Sequence, residues 1–354
     1  MEKNYAFNFS DKPNSDRPAR YVQVGSNRLK TTPVFEEYWR FAAKRQAVFY
    51  QRLRGEDADE PIDPILARYK FTNAYRASDR TSQYLIRSVI YRDDLPSTRE
   101  ELFFRVLLFK LFNRIDTWEY LEKEVGPLTW KRYRFDLLEQ ALLRRFRDGR
   151  RIYSAAYIMP SAGSVFGYQL KHQNHLKLIE YMMEKSFPQQ LGECKSMAEA
   201  YSLLLTAPSI GSFLAYQYTT DINYSQLTDF SEADFVVAGP GALDGISKCF
   251  LGAGAVDPSD VIRYMRDNQG LHFAENKIPF QDLWGRPLQL IDCQNVFCEI
   301  SKYARVAFPD FEGTTGRTRI KQKFWPKQDL PRPWYPPKWG LNEKVERDLR
   351  AWGH

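Results

Sequence analysis

Apolar residues recur along most of the chain at intervals of three and four, the spacing that places them on one face of an α-helix. The pattern begins near Val34 and is lost toward both ends. It predicts helices over 36–52, 65–69, 81–91, 99–113, 133–147, 170–186 and 196–206. Strand-like alternation is scarce; 152–158 is the main candidate, and it could equally be helical. We therefore expect a mostly α-helical body with ~10 helices or more.

The two ends of the chain lack this periodicity. Residues 1–32 are polar and mixed in charge, so we expect a loosely ordered lead-in. Residues 307–354 are basic and rich in proline and aromatic rings, which predicts an irregular basic arm laid over the body or over a ligand. The helical domain between them, 33–306, is expected to have lobes of roughly 33–156 and 157–306.

Composition and charge narrow the class of protein. The net charge of +7 suits a polyanionic partner, although enzymes that never touch nucleic acid also carry such an excess. There is no apolar run of the ~18 residues that a membrane helix needs, and no secretory h-region. We therefore expect a cytoplasmic protein without a membrane partner. Five arginines lie within eight residues: Arg144, Arg145, Arg147, Arg150 and Arg151.

The cysteine and histidine positions give little support for a metal site or for disulfide bonds. The cysteines are too few for a disulfide scaffold, and their spacing fits no zinc ribbon or iron–sulfur cluster. His172 and His175 lie three residues apart on a predicted helix, but no Cys, Asp or Glu motif accompanies them. We expect reduced cysteines, no metal and no cofactor. The cysteines are Cys194, Cys249, Cys293 and Cys298.

The segment 71–80 joins two predicted helices and is dense in polar residues. These are Asn73, Arg76, Asp79 and Arg80. They include pairs at helical spacing and could share one face. Because asparagine reads base edges and arginine grips phosphate, the segment could contact DNA. A buried salt-bridge network that orients the two helices is the alternative, and the residues alone favour it.

The turn 206–213 separates two apolar helices. It contains Ser209, Gly211 and Ser212. Such a turn exposes backbone N–H groups at the N-terminus of the second helix, where they can hold a phosphate. Taken alone, a plain helix–helix connection is the favoured alternative.

Asp234 and the turn that follows it form a third candidate. Three apolar residues follow Asp234, which predicts a half-buried carboxylate; a helix N-cap is the alternative. Gly239 and Gly241 flank a proline in a tight turn that another backbone can approach closely, so we consider them for DNA contact. No Gly-Lys-Ser/Thr follows, so this is not a Walker loop.

Two polar patterns occupy the last quarter of the chain. One is a stripe along a predicted helix, which could be functional or simply a solvated face with an ion pair; it contains Asp292, Asn295, Glu299 and Lys302. The other is an alternating set of cations that matches a phosphate backbone: Arg317, Arg319, Lys321 and Lys323. The rings that follow could stack on bases or simply pack on the body; they are Phe324, Trp325, Trp334, Tyr335 and Trp339.

Five of these segments together resemble the alpha-glutamyl/putrescinyl thymine pyrophosphorylase family, which is related to the helical domain of 5-hydroxymethyl-deoxyuridine DNA kinases. The resemblance spans roughly 35–306 and leaves the arm uncovered. The matching pieces are Asp63-Pro64-Ile65-Leu66; Phe71-Thr72-Asn73 with Tyr75-Arg76 and Asp79-Arg80; Phe109-Lys110-Leu111-Phe112-Asn113; Gly239-Pro240-Gly241; and Cys298-Glu299 with Lys302-Tyr303.

The resemblance implies an all-α, two-lobed, helix-hairpin-helix DNA glycosylase-like fold. The Leu-Pro-Gly-(Ile/Val)-Gly hairpin of that fold is similar to 207–211, with Ser209 in place of its first glycine. Asp234 lies 23 residues beyond Gly211, close to the spacing of the glycosylases' catalytic aspartate. Phe213 stands where bifunctional members carry a Schiff-base lysine, so we expect no lyase step.

The resemblance also implies a function and a site. We expect a glycosylase that flips out and excises a modified base, with glucosylated 5-hydroxymethylcytosine of phage DNA as the best match, in antiphage defence. Asp234 would be catalytic. The base pocket would contain Asn73, Arg76, Asp79, Lys110, Asn113, Glu299 and Lys302. DNA would be bound by Arg80, Ser209, Gly211, Ser212, Gly239, Gly241, Arg317, Arg319, Lys321 and Lys323.

Two other functions stay open. A transferase could displace pyrophosphate from activated 5-hydroxymethyl-uracil in DNA with an amine or amino acid, using Asp234 or Glu299 as general base. A DNA-binding module without catalysis is the third possibility. In each case the partner is double-stranded DNA, with modified bases for the two enzymes, and no obligate protein partner is evident.

Overall fold

The structure is a computed structural model that describes residues 14–16, 18–56, 63–155, 159–325 and 332–353. These residues are mainly α-helical, which confirms the predicted all-α class, while the helix-hairpin-helix likeness stays a prediction. None of their helices is long and apolar enough to cross a membrane. The helices of the first half are α1 (Pro33–Leu53), α2 (Pro64–Arg68), α3 (Arg80–Tyr84), α4 (Arg99–Phe112), α5 (Ile115–Val125), α6 (Phe135–Arg147), α7 (Gly163–Phe166) and α8 (Lys171–Glu184). Those of the second half are α9 (Phe187–Glu193), α10 (Met197–Leu205), α11 (Ser212–Asn223), α12 (Pro240–Cys249), α13 (Pro258–Asp267), α14 (Gln269–Glu275), α15 (Leu290–Ala307) and α16 (Asn342–Ala351).

The chain divides into two compact units. The first unit contains Met1–Asp79, Val236–Arg332 and Leu341–His354, as far as they are described, and the second contains Arg80–Phe235 and Pro333–Gly340. This division differs from the expected lobes, 33–156 and 157–306. The first unit takes its helices from both ends of the sequence because α1 packs against α15, for example through Tyr38 and Phe297 with ring centroids 4.7 Å apart.

Two buried helices, α12 and α15, form the centre of the first unit. They approach closely because two residues of α12 lack a side chain. A Cβ at Gly241 would lie 3.0 Å from the Cys298 sulfur, and one at Gly245 would lie 2.1 Å from the Phe297 carbonyl oxygen. A larger residue at Gly245 would collide with backbone, so this glycine is needed for the helix crossing.

A small antiparallel sheet corrects the expectation of a loosely ordered lead-in. Strand β1 (Tyr21–Val24) pairs with β2 (Asn27–Thr31), which pairs with β3 (Phe250–Leu251). Gly25 begins the two-residue turn with φ of 55°, a conformation that glycine adopts at little cost. The structure shows no strand over residues 152–155 of the other candidate; 156–158 lie outside the described residues.

A buried polar cluster connects three helices of the first unit. Lys44 of α1 donates to Glu37 and to Asp63, each at 2.9 Å, and Tyr303 of α15 donates to Asp63 at 2.7 Å. Asp63 also caps α2 by accepting from the Ile65 N–H at 2.8 Å. The helix predicted over 65–69 is therefore present as α2, with Asp63 as its N-cap.

The second unit is built around α4. Nearly all of this helix is buried, including both its apolar residues and its last cation, because α5, α8, α9 and α11 pack around it. The predicted helix 81–91 is present as α3 followed by a π-helical segment, Leu85–Ile90.

The arm beyond residue 307 is less irregular than predicted. Its last part forms α16, whose Val345 and Leu349 are buried one helical turn apart. Asp348 of the same helix accepts from the Trp284 indole N–H at 2.8 Å. This apolar pair was too short a pattern to stand out from a proline-rich, charged sequence.

Candidate functional site

Four predicted base-pocket residues meet in the first unit. The Asn73 N–H donates to Asp79 at 2.8 Å, and the preceding Thr72 N–H donates to Glu299 at 3.1 Å. Lys302 forms an ion pair with Glu299 at 2.6 Å. We call Asn73, Asp79, Glu299 and Lys302 the Asp79 cluster. Two consecutive peptide groups thus hold two carboxylates beside one cation.

Burial raises the pKa of Asp79 to about 7. The hydrogen bond from Asn73 opposes the shift, whereas the negative charge of Glu299 adds to it. A carboxyl group that titrates near neutral pH can both give and take a proton, which is the property of a general acid or base.

Two further residues support the Asp79 cluster. Arg45 of α1 donates to the Thr72 carbonyl at 2.8 Å and to the Asn73 side chain at 2.9 Å. Asn295, already part of the predicted polar stripe, donates to Thr72 Oγ1 and to the Asn73 carbonyl, both at 3.0 Å. Sequence reasoning missed Arg45; its only signal was a cation within an otherwise apolar helix face.

Arg76 and Arg80 differ in their access to solvent. Arg76 is 2% exposed, and its backbone N–H donates to Asp292 at 2.8 Å. A buried guanidinium is poorly placed to grip the phosphate of a surface duplex. Arg80 begins α3 in the second unit and is exposed. The segment 71–80 thus contains much of the hydrogen-bonded network that was the alternative interpretation.

Two more of the predicted base-pocket residues, Lys110 and Asn113, meet in the second unit. Lys110 donates to Asn113 at 2.8 Å and pairs with Asp221 at 3.2 Å, and all three are buried. Asn113 caps α4 in the left-handed conformation, with φ of 49°. Sequence reasoning missed Asp221, which lies on α11 far along the chain.

The turn between α10 and α11 leaves the start of α11 open. Ser209 has φ of 62°, the left-handed conformation that favours glycine, at the position where the hairpin motif has its first glycine. Gly211 caps α11 without a side-chain hydrogen bond, and it and Ser212 are exposed. A Cβ at Gly211 would meet no atom within 4 Å. The helix N-terminus is therefore accessible to an anion.

Asp234 lies in the loop that follows α11. It is exposed, so the prediction of a half-buried carboxylate is wrong; it is also not a helix N-cap, because Gly239 caps α12. Of the apolar residues after it, Val236 is buried and the others are half-buried, whereas Asp234 is exposed. The next residue, Phe235, contacts Tyr201 of α10 and Tyr216 of α11, with ring centroids 5.0 and 6.0 Å apart. The loop next to Asp234 is thus attached to both helices of the hairpin.

Gly239 and Gly241 lie at the start of α12, and Gly241 has a packing role. Gly239 is buried, and the backbone that approaches Gly241 is that of α15 in the same chain. The small size of Gly241 is therefore explained without DNA, whereas the DNA contact predicted for Gly239 and Gly241 stays a prediction.

The alternating cations lie on an extended segment of the first unit. Its backbone pairs with the end of α2: the Lys70 N–H donates to the Gln322 carbonyl at 3.1 Å and the Phe324 N–H to the Arg68 carbonyl at 3.0 Å. We call residues 317–323 the basic strap. All four of its cations are exposed: Arg317, Arg319, Lys321 and Lys323.

Asp244 of α12 holds the chain just before the basic strap. It accepts from the N–H and hydroxyl of Thr315, each at 2.8 Å, and from the hydroxyl of Ser301. Burial alone would raise the pKa of Asp244, but these hydrogen bonds keep it below its ordinary value.

The aromatic residues of the arm differ in burial. Trp334 and Trp339 pack within the second unit on Tyr91 and Tyr224, with centroids 5.1 and 5.7 Å apart, and Tyr335 is fully buried. These three rings support the packing alternative over base stacking. Trp325, by contrast, is 75% exposed.

His172 and His175, which lacked an accompanying metal motif in the sequence, are both buried in the second unit. His175 contacts the Tyr153 hydroxyl at 2.9 Å and the Pro160 carbonyl at 2.7 Å, and burial lowers its pKa to about 4. Among the described residues, no group of three or more His, Cys, Asp or Glu could hold a metal ion.

Residues 32–313 match the family described as the helical domain of 5-hmdU DNA kinase. The chain belongs to this family. The match contains the Asp79 cluster, the hairpin turn and Asp234, and it ends before the basic strap. No solved structure matches the chain significantly.

A curated relative agrees with this family assignment. The 5-hmdU DNA kinase of Bacillus phage SP10 is 23% identical over 302 residues, which cover 78% of this chain and 46% of the relative. The chain thus spans less than half the length of that relative.

Proposed function

We propose that this protein is an enzyme that acts on modified bases in DNA. The relative from phage SP10 is named a 5-hmdU DNA kinase, and the family that this chain matches is described as the helical domain of 5-hmdU DNA kinase. An excess of cations and an exposed helix N-terminus fit the same partner.

The finer proposal is a monofunctional DNA glycosylase. In each unit, one exposed feature would contact phosphates: the N-terminus of α11 in the second unit and the basic strap in the first. The target nucleotide would leave the duplex, as it must for any enzyme that reacts at the sugar–base bond.

Asp234 is the proposed catalytic residue, and the attachment of its loop is the observation that carries this proposal. Phe235 fixes the adjacent backbone against α10 and α11, so that the carboxylate is held beside the helices of the phosphate-binding turn. The residue is exposed, so a DNA substrate can reach it.

The reaction would proceed as carboxylate-assisted glycoside hydrolysis. The bond between C1′ and the base nitrogen breaks, and its electron pair leaves with the base. The Asp234 carboxylate stabilises the positive charge that develops on the deoxyribose. A water oxygen then bonds to C1′, one water proton passes to the departing base, and an abasic site remains.

Glucosylated 5-hydroxymethylcytosine is the proposed substrate, with antiphage defence as the setting. A bulky adduct offers hydroxyl groups that a polar pocket can recognise by hydrogen bonds. Excision of such a base would damage modified phage DNA and spare unmodified DNA.

A transferase acting on activated 5-hydroxymethyl-uracil is the second candidate, and one observation favours it. Burial brings the pKa of Asp79 to about 7, so this residue could take the proton of an attacking amine. The Glu299 carboxylate is less suited to that task, because it already accepts from Thr72 and Lys302.

A strand-break assay tests the glycosylase. The purified protein is incubated without cofactor with matched duplexes that carry glucosylated 5-hydroxymethylcytosine, 5-hydroxymethyl-uracil or no modification, and alkali then converts abasic sites into breaks. Breaks confined to a modified duplex support excision. Intact DNA in all lanes, together with a mass increase after addition of an amine to pyrophosphorylated 5-hydroxymethyl-uracil DNA, would favour the transferase.

A further inference from the structure

A cleft in the second unit takes no part in the site described above. Its volume is about 470 Å³, within the range of small-molecule and cofactor sites. It lies where the chain leaves α6 and enters α8. The residues that determine its chemistry are Phe146, Arg150, Arg151, Tyr153, Lys171 and His172.

The arginines at the end of α6 fall into two groups. Arg144 and Arg145 are engaged in ion pairs, with Glu124 at 3.0 Å and Asp116 at 2.8 Å. Arg150 and Arg151, which line the cleft, have no acidic partner within the described ranges. Their guanidinium groups are therefore available to an anion from outside the chain.

The start of α8 also lines the cleft. An α-helix leaves the N–H groups of its first turn unpaired and carries partial positive charge there, so this wall also favours an anion. Lys171, the first residue of α8, adds a full positive charge, and its Nζ lies 4.6 Å from the centre of the Tyr153 ring.

His172 supplies a second, independent observation. Its side chain is 4% exposed, and its Nε2 lacks a hydrogen-bond partner in the part of the chain that the structure describes. The nearest carboxylate oxygen, on Glu139, is 3.8 Å away, which is beyond hydrogen-bond range. This buried ring nitrogen belongs to a residue that lines the cleft, so the wall of the cleft contains an unmet hydrogen-bonding group.

Phe146 gives the cleft a planar face. This residue is 56% exposed, so its ring is accessible to a ligand. An exposed ring beside unpaired arginines is the arrangement with which proteins stack a base and hold its phosphate.

We propose that this cleft binds a phosphorylated nucleoside, with its phosphate on Arg150, Arg151 and Lys171 and its base on Phe146. The ligand is a free nucleotide or one nucleotide of a DNA strand, since both present the same ring and phosphate. The inference does not depend on the glycosylase proposal.

Calorimetric titration of the full chain tests this site. Thymidine 5′-monophosphate is expected to bind, and thymidine, which lacks the phosphate, is expected to bind at least ~10-fold more weakly. Arg151→Gln should weaken nucleotide binding ~10-fold. Arg147→Gln is the matched control: it removes the same charge from the same cluster at an exposed position that does not line the cleft.

Two further measurements complete the test. Phe146→Ala should weaken binding ~5-fold or more with an unchanged melting temperature, because the ring is exposed. An oligothymidylate that binds in an Arg151-dependent manner while the mononucleotide does not would identify a DNA strand as the source. The proposal is overturned if neither probe binds, or if Arg147→Gln weakens binding as much as Arg151→Gln.

Discussion

We call Gly211, Ser212 and Asp234 of the second unit the hairpin region. Its polar groups are exposed, whereas those of the Asp79 cluster in the first unit are hydrogen-bonded within the chain. Around the turn, Gly211, Ser212 and Asp234 are exposed. In the cluster, the carboxylates of Asp79 and Glu299 accept from backbone N–H groups of the same chain. The difference separates groups that can meet a substrate at once from groups that hold the fold together.

We therefore expect substitutions in the two regions to have different effects. A change in the hairpin region should affect DNA binding or reaction and leave stability nearly intact. A change in the Asp79 cluster should affect stability first, because it leaves a partner unpaired.

The largest effect is expected at Asp234. Asp234→Asn should lower the excision rate about 100-fold or more, because the charge that stabilises the sugar cation is lost. DNA affinity and melting temperature should stay nearly unchanged. Asp229→Asn, an exposed aspartate in the same loop, is the control and should retain activity. Equal loss in both variants would refute the special role of Asp234.

The counterpart in the first unit is Glu299. Glu299→Gln should reduce the free energy of unfolding by about 2 kcal/mol, since Lys302 and the Thr72 N–H lose a charged partner in a largely buried site. Urea unfolding measures this change. Glu343→Gln, at an exposed position of α16, should change stability little. A Glu299→Gln protein that is fully stable but inactive would show that Glu299 acts in the reaction and contradict its structural role.

A substitution of Ser212 should change DNA affinity and stability in different directions. Ser212→Asp places a negative charge at the first position of α11, where it favours the helix but repels a phosphate. We expect ~10-fold weaker binding to duplex DNA with an equal or higher melting temperature. Fluorescence anisotropy with labelled DNA measures the affinity. Unchanged affinity would exclude this turn from the interface.

The basic strap should contribute mainly to the salt dependence of DNA binding. The double change Arg317→Gln with Arg319→Gln should reduce the slope of log K against log salt by ~2, because two phosphate contacts are lost. Arg347→Gln with Arg350→Gln removes the same charge from α16 of the same unit and should leave the slope unchanged. Equal slopes in the two variants would place the strap outside the interface.

The smallest effect concerns the pH dependence of stability. The folded pKa of Asp79 is raised to about 7 from an ordinary value of 3.8, so its contribution favours the fold at low pH and is lost as the pH rises through 7. Asp79→Asn keeps the acceptor for Asn73 and removes the titration. The melting temperature of the variant minus that of the wild type should be ~2 °C larger at pH 8 than at pH 5. A constant difference would contradict the raised pKa.

Helical periodicity predicted most of the fold because the buried face of each helix repeats along its own sequence. Helices such as α1, α4 and α10 were found within a few residues of their ends. The β-hairpin was missed although Gly25-Ser26 between alternating residues is a hairpin signal, since each strand has only four or five residues.

The candidate site was less predictable because its contacts join distant parts of the chain. Asn73, Asp79, Glu299 and Lys302 were each identified as polar residues, but the Thr72–Glu299 bond that joins them spans 227 positions. The buried state of Asp221 and the exposure of Asp234 depend on packing, which local composition does not record.

The most direct test of the account is mass spectrometry of the reaction products. A duplex with one glucosylated 5-hydroxymethylcytosine is incubated with the protein, and the small-molecule and DNA fractions are weighed separately. The account predicts the free modified base in the small-molecule fraction and a strand lighter by the loss of that base and the gain of one water. A strand of unchanged mass for this base and for 5-hydroxymethyl-uracil, or a base that stays attached with added mass, would contradict it.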